Sequence, residues 1–489
     1  MLGESQYIEG QTDTIYALTT GATPSGVAVV RLSGDKSWQI ARTLSKNLPE
    51  NIESHRAYFT SICDPQNEEI LDEGLLLFFA NGKSYTGEQT CEFQVHGSAV
   101  VVRDLCSALN SQGARSALRG EFTFRAFVNG RIDLTQAEAV LELIHSESSK
   151  EARASLNNLR GILSKNITEI EAELVRILAH VEVGIDFTEE RLDHSVESDF
   201  LSQIEELSKQ IGTILSNYRQ SKLVKTGLRV GLFGAPNAGK SSLFNQILGR
   251  ERSIVSKDAG TTRDYVEAEM LFRGIKLRLI DTAGLHETSD LVEAQGVQRA
   301  QDLKKDVDLK VLVFDASLFL NGSSSSRSQI NLDCMQHENE SLQLSDWVTS
   351  QFTQLASDEI VVVHKSDLLS QQERIKILGI FKAMSGEREL LFVSSLSGEG
   401  VKSLSELIAK SGNVSLDETD FMIQSRHADA LMQAKRALLE AKTSLDEGLG
   451  PECAALDLRI ALDQIQRILG KTFNDDILNH VFSEFCIGK

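Results

Sequence analysis

Hydrophobic positions divide the chain into four stretches of different period. Across residues 1–120 short apolar runs alternate with polar breaks, and Val27–Leu32, Gly74–Ala80 and Cys91–Val95 predict strands. Ser98–Asn110 predicts a helix with Val101, Leu105 and Leu109 on one face, so this stretch reads as an α+β domain. Across 121–222 the period turns helical: Leu163, Ile167, Ile170, Leu174, Ile177, Val181 and Ile185 recur at steps of three or four. Phe200–Tyr218 repeats the pattern through Ile204, Leu207, Ile211 and Ile214. Residues 223–415 alternate strand and helix signals, with strands at Leu228–Phe233, Lys276–Ile280, Lys310–Phe314, Ile360–Val363 and Leu390–Val393. That alternation predicts an α/β domain with a doubly wound, mostly parallel sheet. A Gly/Ser-rich segment at about 321–346 interrupts it as a surface insertion. Residues 416–489 are helical again, with a stripe at Leu458, Leu462, Ile465 and Leu469. The simplest architecture joins 121–222 and 416–489 in one bundle, with the α/β domain inserted between them.

Charge and cysteine usage narrow the setting. The 489 residues carry 70 acidic and 50 basic side chains, a net charge of −20. That balance argues against general coating of nucleic acid and leaves room for one local basic patch. No apolar run approaches the roughly 20 residues of a membrane span. Met1–Gln11 is polar and lacks the basic flank and apolar stretch of a secretory signal. Six cysteines, at 63, 91, 106, 334, 453 and 486, without Cys-x-x-Cys spacing, suit free thiols in a cytoplasmic protein.

The chemistry concentrates in the third stretch. Gly234-Ala-Pro-Asn-Ala-Gly239-Lys240-Ser241 follows a strand, opens a helix and fits the phosphate loop G-x-x-x-x-G-K-[ST]. Its backbone N–H groups and the helix N-terminus face phosphate, Lys240 reaches the β- and γ-phosphates, and the Ser241 hydroxyl ligates magnesium. Asp281-Thr282-Ala283-Gly284 ends another strand: Asp281 supports the magnesium shell and the Gly284 N–H senses the γ-phosphate. Between them, Thr262 of Gly260-Thr261-Thr262-Arg263-Asp264 completes the magnesium coordination. Downstream stands His364-Lys365-Ser366-Asp367. The Asp367 carboxylate can accept hydrogen bonds from guanine N1 and N2, which adenine does not offer, so GTP is favoured over ATP. Ser394-Ser395-Leu396 can present N–H groups to the guanine oxygen.

These elements resemble GTPases of the translation-factor type, in the Era-like group. Two positions depart from that pattern. His364 stands where Asn is usual, and one remaining hydrogen bond predicts a weaker tether between loops. Leu285 stands where a water-orienting Gln is common, so another group must act; Glu293 on the following segment is one candidate to position the attacking water through a second water, although a lone exposed Glu more often lies on a solvated helix face.

Four segments carry a more specific resemblance: Gly120–Ala139, Pro236–Ser242, Gly260–Asp264 and the terminal Phe485-Cys-Ile-Gly-Lys489. With them the chain resembles the MnmE (TrmE) family of tRNA-modifying GTPases over all but the insertion. The resemblance implies GTP and GDP contacts from Asn237, Ala238, Gly239, Lys240, Ser241 and Ser242. It extends them through Ser256, Lys257, Asp258, Ala259, Gly260 and Thr261. It implies a potassium ion held by Asn237, Ser256, Asp258 and Thr261 where two GTPase domains of a homodimer meet; Lys257 adds a positive charge to that loop. Lys240 and Glu293 become the catalytic pair, with Glu293 as the water-positioning glutamate. The N-terminal domain is implied to dimerise and to hold 5-formyl- or methylene-tetrahydrofolate through Arg31, Glu92, Arg131 and Lys489. A flavin-dependent MnmG-like partner in a heterotetramer is implied, acting with this chain on carbon 5 of the wobble uridine of certain tRNAs. Cys486 matches a family cysteine. Two other readings stand beside this one: a ribosome-assembly GTPase switch without one-carbon chemistry, and a dimerisation scaffold with a dead nucleotide site.

Overall fold

The computed structural model describes residues 13–21, 23–186, 194–235, 237–250, 266–272, 274–281, 307–320, 359–385, 388–411, 421–447, 449–472 and 475–489. Two compact units emerge. One draws on Met1–His145, Arg153–Tyr218 and Asp420–Lys489, the other on Ser146–Ala152 and Arg219–Thr419.

The first unit begins with six strands: β1 (Ile15–Leu18), β2 (Ser25–Ser33), β3 (Ala57–Cys63), β4 (Ile70–Phe79), β5 (Thr90–Gly97) and β6 (Arg115–Ser116). They lie in the order β3-β4-β5-β2-β1-β6, antiparallel except where β6 joins β1. One sheet face is apolar: Val30, Leu32, Phe78 and Phe93 form a core with Leu105 and Leu109 of α2 (Ala99–Ser111) and with Ile40 of α1 (Ser37–Thr43). The Ser98 side chain accepts from the Val100 N–H and so starts α2. Strand β3 goes beyond the sequence expectation, because Phe59 points outward at 68% exposure and masks the alternation. Five helices follow: α3 (Glu121–Val128), α4 (Leu134–His145), α5 (Ser149–Leu159), α6 (Ile162–Asp186) and α7 (His194–Thr226).

The second unit is the α/β element. Its order along the chain is β7 (Leu228–Phe233), α8 (Lys240–Arg250), β8 (Val266–Phe272), β9 (Ile275–Asp281), β10 (Leu309–Asp315), β11 (Glu359–His364), α9 (Gln371–Ser385), β12 (Leu390–Val393) and α10 (Val401–Ser411). The sheet order is β12-β11-β10-β7-β9-β8, all parallel but for β8. The parallel strands are near-continuous apolar runs because both of their faces are covered. Phe314, Val361 and Val363 pack with Ile377 and Phe381 of α9.

The chain then returns to the first unit with α11 (Ser425–Asp446), α12 (Pro451–Leu469) and α13 (Asp475–Ser483). The stripe Leu163, Ile167, Ile170, Leu174, Ile177 and Val181 is buried in one core with Leu458, Ile465 and Leu469. Small residues on α11, including Ala434, Ala437 and Ala441, let it approach α12 closely. Among the described residues no helix is long and apolar enough to cross a membrane.

Candidate functional site

The nucleotide loop begins where β7 ends. Gly234 has φ +153°, and a Cβ there would run into the Val313 carbonyl. Gly239 has φ +90°, and a Cβ there would run into the His364 ring. Between them Asn237 adopts φ +62°, a left-handed conformation that Asn tolerates better than most residues. The loop is therefore a bare backbone cradle at the head of α8, with Ser241 and Ser242 exposed on the first helical turn. Lys240 is buried, and its Nζ donates to the Gly234 and Ala235 carbonyls at 3.0 Å each. Burial lowers the lysine's pKa, while the charge of Asp281 at the end of β9 works against that shift. The Ser241 hydroxyl and the Asp281 carboxylate are hard oxygen donors, which suit magnesium. The bare cradle and helix N-terminus suit phosphate.

His364 donates the one hydrogen bond expected of it and accepts a second, so both ring nitrogens are engaged. Nδ1 lies 3.0 Å from the Ala238 carbonyl and Nε2 lies 2.7 Å from Ser395 Oγ. A carbonyl only accepts, so Nδ1 carries the proton and Nε2 of the neutral ring accepts from the Ser395 hydroxyl. Burial is the main cause of a lowered His364 pKa, and Lys365 adds to it against the Ala238 bond, Asp315 and Asp367. Imidazole reaches further than a carboxamide, which is why one side chain spans the phosphate loop and the last loop together.

Lys365, at φ +60°, donates to the Asn237 carbonyl at 3.1 Å and to Asp315 at 2.6 Å. Burial opposes ionisation of Asp315, but bonds from Lys365 and Ser317 outweigh it and lower its pKa. Asp367 accepts from the Ser394 hydroxyl, and Ser394 Oγ in turn accepts from the Leu396 and Ser397 N–H groups at 3.2 Å. Ser366 is fully buried; its hydroxyl donates to Glu399 at 3.1 Å. Asp315 and Glu399 were not foreseen from sequence; Ser394 and Leu396 were expected to offer N–H groups to guanine, but the Ser394 N–H donates to the Glu399 carbonyl at 3.0 Å and the Leu396 N–H to Ser394 Oγ.

A second cluster lies on the first sheet. Arg31 of β2 and Glu92 of β5 are cross-strand neighbours, with Arg31 Nε donating to Glu92 Oε1 at 2.9 Å. The guanidinium sits 5.4 Å from the Tyr85 ring centroid and 5.6 Å from that of Phe122. The C-terminus comes to the same place. Ile487 bridges to Arg119, and Gly488 has φ +100° where a Cβ would meet the Leu18 carbonyl. Burial lowers the Lys489 amine's pKa and Arg31 lowers it further, against the pull of Glu92. Two cations beside a carboxylate suit a ligand with an acidic tail and hydrogen-bond donors, and the rings hold the Arg31 guanidinium in place. Arg131 makes no ion pair among the described residues. It lines a groove of about 520 Å³ with Phe127, Ile132, Leu469 and Lys471, and packs beside Gly87. Cys486 is exposed.

Two family profiles match the chain: the GTP-binding protein TrmE N-terminus over residues 14–131 and the MnmE helical domain over residues 134–486. The tRNA modification GTPase MnmE of Bdellovibrio bacteriovorus is 34% identical over 486 residues, covering 98% of each chain. That of Aquifex aeolicus is 36% identical, covering 98% of this chain and 100% of its own. The chain belongs to the MnmE family of tRNA modification GTPases. It is therefore a GTP hydrolase. Of the positions expected in an MnmE-family site, Ser256, Lys257, Asp258, Ala259, Gly260, Thr261, Thr262, Thr282, Ala283, Gly284 and Glu293 lie outside the described residues, as does the 321–346 insertion.

Proposed function

We propose that this chain couples GTP hydrolysis to modification of the wobble uridine of certain tRNAs. The reaction adds a carboxymethylaminomethyl or aminomethyl group at carbon 5. A tetrahydrofolate one-carbon unit is drawn on, and an MnmG-like flavoprotein works with a homodimer of this chain in a cytoplasmic heterotetramer. The observation that carries the one-carbon half is the Arg31–Glu92 pair across β2 and β5 with the C-terminal Lys489 brought beside it. A reduced folate would present its carboxylates to the cations and its ring to Glu92, the chemistry of charge-assisted hydrogen bonds.

For hydrolysis, Lys240 would exchange the Gly234 and Ala235 carbonyls for the β- and γ-phosphate oxygens. Asp367 would accept from guanine N1 and N2. Ser241 and Thr262, with Asp281 behind them, would hold magnesium, which offsets phosphate charge. Asn237, Ser256, Asp258 and Thr261 would hold potassium, which serves in place of an arginine finger. Glu293 would orient the attacking water through a second one.

The test is mass spectrometry of wobble uridines in tRNA from cells lacking this protein. Loss of the carbon-5 substituent is expected. An unchanged nucleoside profile contradicts the proposal and favours a ribosome-assembly switch.

A further inference from the structure

The base-reading residue Asp367 is held in place by two neighbours, and both depend on a residue outside every recognised motif. Ser366 precedes Asp367; its hydroxyl donates to Glu399 Oε2 at 3.1 Å. Ser394 gives its hydroxyl to Asp367, and its own N–H donates to the Glu399 carbonyl at 3.0 Å. Glu399 thus grips one neighbour through its side chain and the other through its backbone. Arg374, in the first turn of α9, closes the arrangement. Its two terminal nitrogens donate to Glu399 Oε1 and Oε2 at 2.5 and 2.9 Å, a fork-to-fork pair, and Nη2 also donates to the Ser366 carbonyl at 2.7 Å. The guanidinium rests over the Phe392 ring at 5.7 Å, which fixes its plane. Gly400, beside Glu399, has φ +72° and no room for a Cβ against the Phe392 carbonyl, so the loop carrying Glu399 is itself pinned to β12.

We propose that Arg374 and Glu399 are positioning residues for guanine recognition: together they set the place of the Asp367 carboxylate through Ser366 and Ser394. Both act through Ser366 and Ser394, their hydrogen-bond partners. The pair does not belong to the hydrophobic core. Arg374 is 26% and Glu399 45% exposed, on the wall of an open cleft of about 590 Å³. Removing it should therefore leave the unit folded and shift only the loops that meet at Asp367. Positional looseness costs most where geometry is read most finely, at the two hydrogen bonds to guanine N1 and N2. Inosine lacks the N2 amino group, so loosening Asp367 erodes the preference for GTP over ITP as well as absolute affinity.

The inference rests on Asp367 being the base-reading carboxylate. The experiment therefore measures GTP and ITP binding and turnover in the full-length protein for the parent, Arg374→Ala, Arg374→Lys, Glu399→Gln and Asp367→Asn. Arg374→Ala and Glu399→Gln should raise the Kd and KM for GTP about five- to tenfold and lower the GTP/ITP preference. Turnover at saturating GTP should stay within about twofold of the parent. Arg374→Lys keeps the charge but not the fork and should recover part of the loss. A GTP Kd and GTP/ITP ratio unchanged in both variants overturns the inference, provided Asp367→Asn still shifts base preference. If Asp367→Asn also leaves preference unchanged, it is the base-reading assignment that fails.

Discussion

At the scale of single residues, His364 changes what the nucleotide site depends on. An imidazole bridging the Ala238 carbonyl and the Ser395 hydroxyl ties the glycine-bearing loop after β7 to the loop after β12. Each neutral hydrogen bond is worth about 1 kcal/mol net, and an orphaned partner costs more. His364→Ala is therefore expected to weaken GTP binding about tenfold, by calorimetry, while the helical content of the protein stays unchanged. Asp367→Asn presents an amide donor where guanine offers N–H groups. It should reverse base preference toward xanthosine triphosphate, measured as the ratio of kcat/KM for the two nucleotides. Retention of the parental ratio would remove Asp367 from base reading. Lys240 is fixed by its own loop: its amine donates to the Gly234 and Ala235 carbonyls at 3.0 Å each.

At the scale of elements, a buried charge cluster joins three helices of the first unit. Glu138 of α4 accepts from Arg426 at 2.8 and 3.0 Å and from His427 Nε2 at 2.7 Å. The Gln424 N–H donates to His427 Nδ1, which leaves the ring proton on Nε2 facing the carboxylate. Arg426 also donates to the carbonyls of Arg467 and Ile468, at the C-terminal end of α12, where the helix dipole favours a cation. Burial resists ionisation of Glu138, but His427 and Arg426 prevail and lower its pKa to about 2 from the ordinary 4.5. A depressed carboxyl pKa stabilises the fold fully above pH 4.5 and loses that contribution as pH falls toward 2. Glu138→Gln should cost about 3 kcal/mol at pH 7 in urea denaturation followed by helical circular dichroism. The gap from the parent should narrow as the pH drops below 4.5. A gap that is constant with pH would mean that the carboxylate charge is not what joins these helices.

At the scale of the whole molecule, legibility followed the range of the interactions. The stripe from Leu163 to Val181 and the one from Leu458 to Leu469 were readable because an amphipathic period needs no knowledge of its partner, and they share one core. Strand β8 was not readable. Its Glu267 and Glu269 look like loop polarity until Arg278 of β9 stands opposite Glu269, 2.7 Å away. Lys240, Asp281 and Asp367 were legible from motifs, whereas Arg374 and Glu399 come together only through the fold. Arg31 and Glu92 look like surface charges in isolation, and only the family resemblance marked them. The two chemistries should separate cleanly. Deleting Cys486–Lys489 should abolish calorimetric binding of 5-formyl-tetrahydrofolate and leave GTP turnover within about twofold of the parent. Retained folate binding would detach Lys489 from that site. The most direct test of the whole account is GTP hydrolysis by the purified full-length protein with magnesium and potassium, set against Lys240→Ala. Turnover in the parent that is lost in the variant is the expected result; a parent that neither binds nor hydrolyses GTP, or a variant that hydrolyses it equally well, contradicts it.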